Sequence, residues 1–239
     1  MKEQYIRTAM LIGESGVKKL NESKIIIFGV GGVGSFAVEA LARCGFERID
    51  VVDSDIVSAS NINRQLVALS STVNRKKVDV IKERIFDISS DTKVDTYDVF
   101  YDIDTQKLFD LSKYDYIVDA IDSIESKILL VKEAKRFGVP VISALSAGNK
   151  MDISKFSVAD IFSTSVCPIA KIMRKRLKEE NIDRLKVVYS TEQPIKTDNS
   201  FSDNFGKKSV GSISFVPSAV GLMMAGEVVK DLVGYQVEK

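Results

Sequence analysis

The stretch that most limits the fold of this 239-residue chain lies near its N-terminus, where the run KIIIFGVGGVG spans 24–34. Ile25, Ile26, Ile27 and Phe28 form a short continuous apolar run, the mark of a strand buried on both faces. Gly29, Gly31, Gly32 and Gly34 follow at once, and a helical pattern follows them. Glycine permits the tight turn and lets a backbone come close to a neighbour or a ligand. A strand, a glycine turn and a helix in this order open a βαβ unit, whose parallel strands need right-handed crossovers.

The rest of the chain continues the alternation. Residues 1–23 read as a polar helix with an Arg-bearing start, and 35–44 as the helix after the glycines. A second strand at 49–52 ends on Asp53. Val78, Ile81, Ile85 and Ile88 share one helical face. A strand at 94–100 and a short helix near 106–111 lead to a buried strand at 116–120. The helix at 123–137 is stopped by Gly138 and Pro140, and a strand follows at 141–144. Beyond Ala144 the pattern changes. Strands at 155–161 and 186–190 flank a helix at 169–180, and a helix at 217–233 closes the chain. The polar stretch 191–212 has little periodicity, and a long loop of that kind is expected to be functional or mobile. The fold expected is α/β: a Rossmann-like, mostly parallel twisted sheet with helices on both faces, continued by an antiparallel C-terminal extension. Residues 1–239 form a single domain, with a helix at 1–23 and halves at 24–145 and 146–239.

Composition narrows the chemistry. The formal net charge is +1, so global charge selects no partner and any nucleic-acid surface must be a local patch. The two cysteines, Cys44 and Cys167, form no CxxC, which excludes a four-cysteine zinc site and suits a reducing cytoplasm. Histidine is absent, which removes the commonest general base and every Ser-His-Asp triad. The N-terminus lacks a signal-peptide hydrophobic core. The weakly polar run 210–229 is about the length of a membrane span. Its serines, glycines, Pro217 and Glu227 favour a buried or interfacial helix, which leaves peripheral membrane association open.

Asp53 stands 19 residues beyond Gly34, where an acid meets the ribose hydroxyls of an adenosine. That much suits a nicotinamide-dependent dehydrogenase as well as an ATP site. Asp55 follows, then SNINRQ at 60–65, then Arg75, Lys76 and Lys77. Asn61, Arg64, Gln65 and Lys77 are the donors a triphosphate clamp needs, Arg as a planar fork and Lys as a point charge. Such donors stabilise charge building at phosphorus, and a dinucleotide's pyrophosphate has no need of them. Arg75 and Lys76 suit an ordinary solvated helix start equally well. VDAIDS runs from a buried strand into a polar corner at the C-terminal edge of the sheet, where open α/β sheets bind ligands. Position favours Asp122 as the carboxylate that holds Mg²⁺ against the phosphates. Asp119, inside the strand, suits orienting a backbone or pairing with a lysine.

Together GVGGVG, DSDIVSASNINRQ, KKV and VDAIDS resemble the ThiF/MoeB/HesA superfamily of ubiquitin-activating enzymes and their bacterial relatives. The resemblance implies that Asp53, Asn61, Arg64, Gln65, Lys77 and Asp122 bind ATP and Mg²⁺. It also implies a homodimer in which Arg7 reaches the triphosphate of the neighbouring subunit. Within the superfamily, four segments resemble the branch that dehydrates threonylcarbamoyladenosine in tRNA. They are RTAMLIGESGVKKLNESKIIIFGVGGVGS, VEALARCGFERIDVVDSDIVSASNINRQLVA, IFSTSVCPIAKIMRKRLKEENI and KKSVGSISFVPSAVGLMMAGEVVKDLVG. That branch adenylates the free carboxylate of the modification in the anticodon loop of ANN-decoding tRNA and closes it into a ring. The expected enzyme is thus adenylate-forming and ligase-like, with 146–239 as its substrate and dimer half. A monovalent cation (Na⁺ or K⁺) and a SufE-like or cysteine-desulfurase sulfur-relay partner come with the resemblance. The alternative is adenylation of the C-terminal Gly-Gly of a ThiS- or MoaD-type sulfur carrier, against which stands the missing pair of CxxC motifs. Cys167 departs from the branch, which carries an acidic residue before that proline; packing is the role expected of both cysteines.

A tRNA reader needs basic surface. Lys171, Arg174, Lys175 and Lys178 share one helical face, with Ile169, Ile172, Met173 and Leu177 as the buried side. Arg184, Lys186, Lys196, Lys207 and Lys208 are near in sequence, and Phe201 and Phe205 are candidates to stack on an unpaired base.

Overall fold

The computed structural model describes residues 1–197 and 210–235. Phe201, Phe205, Lys207 and Lys208, with most of the 191–212 stretch, lie outside the described residues.

Seven strands form one sheet: β1 (Lys24–Phe28), β2 (Arg48–Val52), β3 (Thr96–Tyr97), β4 (Tyr116–Asp119), β5 (Val141–Ala144), β6 (Phe156–Asp160) and β7 (Lys186–Ser190). Their order is β3-β2-β1-β4-β5-β7-β6. Every neighbouring pair is parallel except β6 and β7, which are antiparallel. The Rossmann-like sheet with an antiparallel extension is therefore the observed one. Chain order reverses between β1 and β4, the kind of switch point that opens a crevice at the C-terminal ends of the strands.

The helices are α1 (Ile6–Asn21), α2 (Gly34–Ala42), α3 (Lys77–Ile88), α4 (Ile124–Phe137), α5 (Pro168–Glu179) and α6 (Phe215–Val233). They divide by face because strand side chains alternate. Ile25 and Ile27 pack with α2, α3 and α6, whereas Ile26 and Phe28 pack with Leu130 and Ala134 of α4. A third cluster joins α4 and α5 through Ile128, Val131, Ala170, Met173 and Leu177 over β7. The weakly polar 210–229 run becomes α6, which lies on α2. A Cβ at Gly221 would stand 2.3 Å from the Val33 carbonyl oxygen, so glycine sets that close crossing. Among the described residues no helix is long and apolar enough to cross a membrane.

Four expectations need correction. The strand expected at 94–100 pairs only at Thr96–Tyr97, because Val99, Phe100 and Tyr101 leave the sheet to line a cleft. The short helix near 106–111 is two 3-10 turns, Gln106–Leu108 and Leu111–Lys113, split where Phe109 turns inward against Phe28. The N-terminal helix is broken at Gly13, whose φ of 73° no helix accommodates. Ile172 is exposed, not on the buried side of α5, which is narrower than its sequence suggests.

Candidate functional site: a nucleotide cleft at the sheet switch point

A cleft of about 640 Å³ opens where β1, β2, β4 and β5 end. Its lining includes Gly29, Gly31, Gly32, Asp53, Asp55, Asn61, Arg64, Gln65, Lys77 and Asp122. Residues dispersed over 29–122 are thus gathered in one place. Gly34 and Arg7 are not among them.

The four glycines do different work. Gly29 has φ 90°, and a Cβ there would stand 2.6 Å from the Ala120 carbonyl oxygen. A Cβ at Gly34 would meet the Gly29 carbonyl oxygen at 1.8 Å. These two let the turn fold against β4. Gly31 faces open space, its nearest neighbour being the Gln65 amide nitrogen at 3.9 Å. Its backbone is the part a ligand can approach, at the N-terminus of α2, where unpaired N–H groups favour an anion.

Asp53 is held rigidly. One carboxylate oxygen accepts the Val30 N–H at 2.6 Å and the other the Asp55 N–H at 2.8 Å. Burial pushes its pKa up, and Lys77 with the two N–H bonds opposes this without cancelling it. The buried Lys77 ammonium lies 3.9 Å from Asp53 and donates to Asp55 at 2.6 Å. The Asn61 side-chain oxygen accepts the Ser58 N–H at 3.1 Å and so caps the turn before Arg64. Arg64 donates to the Ser60 carbonyl at 2.9 Å and to Asn63 at 2.8 Å. It pairs with no carboxylate among the described residues, and burial lowers its pKa. Gln65 is buried, and its Oε1 has no hydrogen-bond partner among the described residues. Asp122 is exposed on the cleft rim, with no side-chain partner among the described residues.

Outside the cleft, Arg7 is exposed on α1, two residues beyond Tyr5, whose ring packs over Gly45. On α5 the basic face divides. Lys171 and Lys175 are exposed, while Arg174 donates to the Thr164 hydroxyl and carbonyl and to the Ile161 carbonyl. Arg174 therefore holds a turn through one guanidinium nitrogen, a structural role its two exposed neighbours lack. Lys178 lies over the Phe162 ring at 5.7 Å. Cys167 is buried at the start of α5, and burial raises the pKa of the Cys44 thiol.

The sequence reading missed the β5 wall, 144–148, together with Val210, Ser212, Pro217 and Lys127. Lys127 carried a signal: it falls on the face of α4 shared by Leu130, Val131 and Ala134, where a lysine is out of place unless paired.

A Rossmann-like α/β sheet with a glycine turn at its switch point, a held acid beyond β2 and a cluster of amide and cationic side chains around one cleft is the class that fold and site define. The chain belongs to the ThiF family, whose model matches residues 5–239. It is 43% identical to the tRNA threonylcarbamoyladenosine dehydratase of Bacillus subtilis, over 97% of this chain and 95% of that one. The crystal structure of Escherichia coli tRNA N6-threonylcarbamoyladenosine dehydratase, TcdA, in complex with ATP matches it with a TM-score of 0.87 at 30% identity. That match covers 97% of this chain and 94% of the other. Likeness to the Saccharomyces cerevisiae adenylyltransferase and sulfurtransferase UBA4 is 34% but spans 58% of this chain and 31% of that protein.

Proposed function

We propose that the chain is an ATP-dependent dehydratase that activates the carboxylate of threonylcarbamoyladenosine in tRNA and closes it into a ring. One observation carries this: Asp53, Asn61, Arg64, Gln65, Lys77 and Asp122 converge on one cleft in a chain similar over nearly its whole length to enzymes named for that reaction. Carrier-protein adenylation has only the partial likeness in its favour.

The residues present suit ATP as a substrate. Gln65 keeps a buried oxygen without a partner among the described residues, beside the open face of Gly31, and a buried polar atom of this kind calls for one. Asp53 would accept the ribose hydroxyls. Gly31 and the start of α2 offer N–H groups to phosphate. Arg64 and Lys77 would neutralise charge as it builds on the phosphates, and the Asn61 amide would donate a hydrogen bond to it. Asp122 would hold Mg²⁺, which supplies further charge neutralisation across the phosphate oxygens.

The substrate carboxylate adds to the α-phosphorus and pyrophosphate leaves. An atom of the same modification then attacks the activated carbonyl, the ring closes and AMP departs with the oxygen of the lost water. Intramolecular attack replaces an enzyme nucleophile with high effective molarity, which suits a chain with no histidine whose two cysteines, one buried and one poorly ionised, stand outside the cleft lining. We read residues 1–239 as one adenylation unit working in the cytoplasm. The homodimer, the monovalent cation and the sulfur-relay partner rest on the family resemblance.

The test is nucleoside mass after incubation with ATP, Mg²⁺ and tRNA carrying the open modification. Loss of one water is expected. No loss, with ATP–pyrophosphate exchange appearing only when a carrier ending in Gly-Gly is added, would favour the alternative.

A further inference from the structure

Asp122 reaches the cleft from a corner where no described side chain steadies it. Its aim is decided by the backbone at 120–123, so whatever pins that backbone sets the site. Three buried polar groups do so. Asp119 is the last residue of β4 and wholly buried; Ser143 stands directly beside it on β5, and Lys127 comes down from the first turn of α4. Lys127 Nζ donates to Asp119 Oδ2 at 3.1 Å and to Ser143 Oγ at 3.2 Å, and the Ser143 hydroxyl donates to the same Oδ2 at 2.5 Å. The other Asp119 oxygen accepts the Ile121 N–H at 3.1 Å. Asp119 and Lys127 thus bracket Asp122 in sequence and close the corner like a staple. The Ser123 hydroxyl, accepting the Ser126 N–H at 3.3 Å, fixes its far side.

The same corner is registered to the glycine turn. The Ala120 N–H donates to the Phe28 carbonyl at 2.8 Å, and the Ala120 carbonyl abuts Gly29 closely enough to exclude a Cβ. A buried ion pair is poor value for stability alone, because desolvation offsets most of its attraction. A hydrophobic pair would hold β4 to α4 at least as well, but it would not orient the Ile121 N–H.

We infer that Asp119, Lys127 and Ser143 are positioning residues that aim Asp122 at the metal–phosphate group, an inference resting on the proposal that Asp122 holds Mg²⁺. Their role is geometric, and none of them bonds the metal.

The experiment is calorimetric titration of the full-length protein with ATP, with and without Mg²⁺, alongside thermal unfolding. Asp119→Asn/Lys127→Met removes both charges together, so no lone buried charge is left to unfold the protein. It should cut the Mg²⁺-dependent gain in ATP affinity by about tenfold, as loss of an outer-shell partner does. Mg²⁺-free ATP affinity should change little. Ser143→Ala, which keeps both charges, should show a smaller loss of the same kind. An undiminished Mg²⁺ gain in the double variant overturns the inference, as does a parallel fall in Mg²⁺-free affinity, which would mark general packing or a direct contact of cleft-lining Lys127 with the nucleotide. Asp122→Ala separates the two layers. If it too keeps the full Mg²⁺ gain, the assignment of Asp122 fails; if it loses the gain while the double variant does not, only the positioning role fails.

Discussion

Arg64 is partly buried beside the cleft, its guanidinium resting on a carbonyl and an asparagine, not on a carboxylate. On the proposed function, a cation that pairs with no described carboxylate is available to charge that builds on the phosphates during reaction. Arg64→Ala should lower turnover about 10²–10³-fold, the cost of one lost oxyanion-type donor. Near-normal ATP-dependent conversion of modified tRNA would remove Arg64 from the clamp. At this scale the sequence was informative about residue types and silent about their neighbours. Asp53 could be selected by its spacing from the glycines, and Asn61 and Lys77 as donor types in motifs that resemble the family's. That Lys77 is bonded to Asp55, or that Gly34 supports the turn from beneath, depends on distances no spacing encodes.

Elements carry a second set of consequences. Glu39 of α2 accepts from Arg43 at 2.6 Å and from Arg84 of α3 at 2.9 Å. Burial raises its pKa, but the two guanidinium bonds outweigh that and leave it below its ordinary 4.5. The native state therefore releases this proton more readily than the unfolded chain. The stability it contributes is complete above pH 4.5 and lost as pH falls through the folded value. Glu39→Gln should cost about 1 kcal/mol at neutral pH, and urea unfolding well below pH 4.5 should show the two proteins converging. Helix α5 separates binding from structure. Lys171→Ala/Lys175→Ala should weaken tRNA binding and flatten its salt dependence, with ATP affinity unchanged. Arg174→Ala should instead cost about 1–3 kcal/mol of stability, because the Thr164 and Ile161 carbonyls lose a charged donor. The helix periodicity identified α5 within a residue or two, yet could not say which of its cations had an internal partner.

The whole molecule places Arg7 on an exposed helix, outside the cleft of its own chain. If it serves a neighbouring subunit, Arg7→Ala and Asp122→Ala should each be inactive alone. Mixed and allowed to exchange subunits, they should regain activity, since one site in a hybrid has both residues. Activity no greater than the sum of the two would remove Arg7 from a shared site. The Rossmann-like order of strands and helices was legible because apolar runs, glycine turns and capped helices are local signals that repeat along the chain. The weak points were also local: β3 shortened where 99–101 leave the sheet, and the N-terminal helix broke at Gly13. By itself the sequence determined the fold class and the glycine turn after β1, because apolar runs, turns and helix stops are local signals, and it offered the residue types that the cleft gathers from 29 to 122. Only the tertiary structure decided which glycines face the cleft, that Arg174 is occupied, and that Asp119, Lys127 and Ser143 brace the Asp122 corner. These are contacts between distant segments, and burial, which only packing creates, sets which of them form.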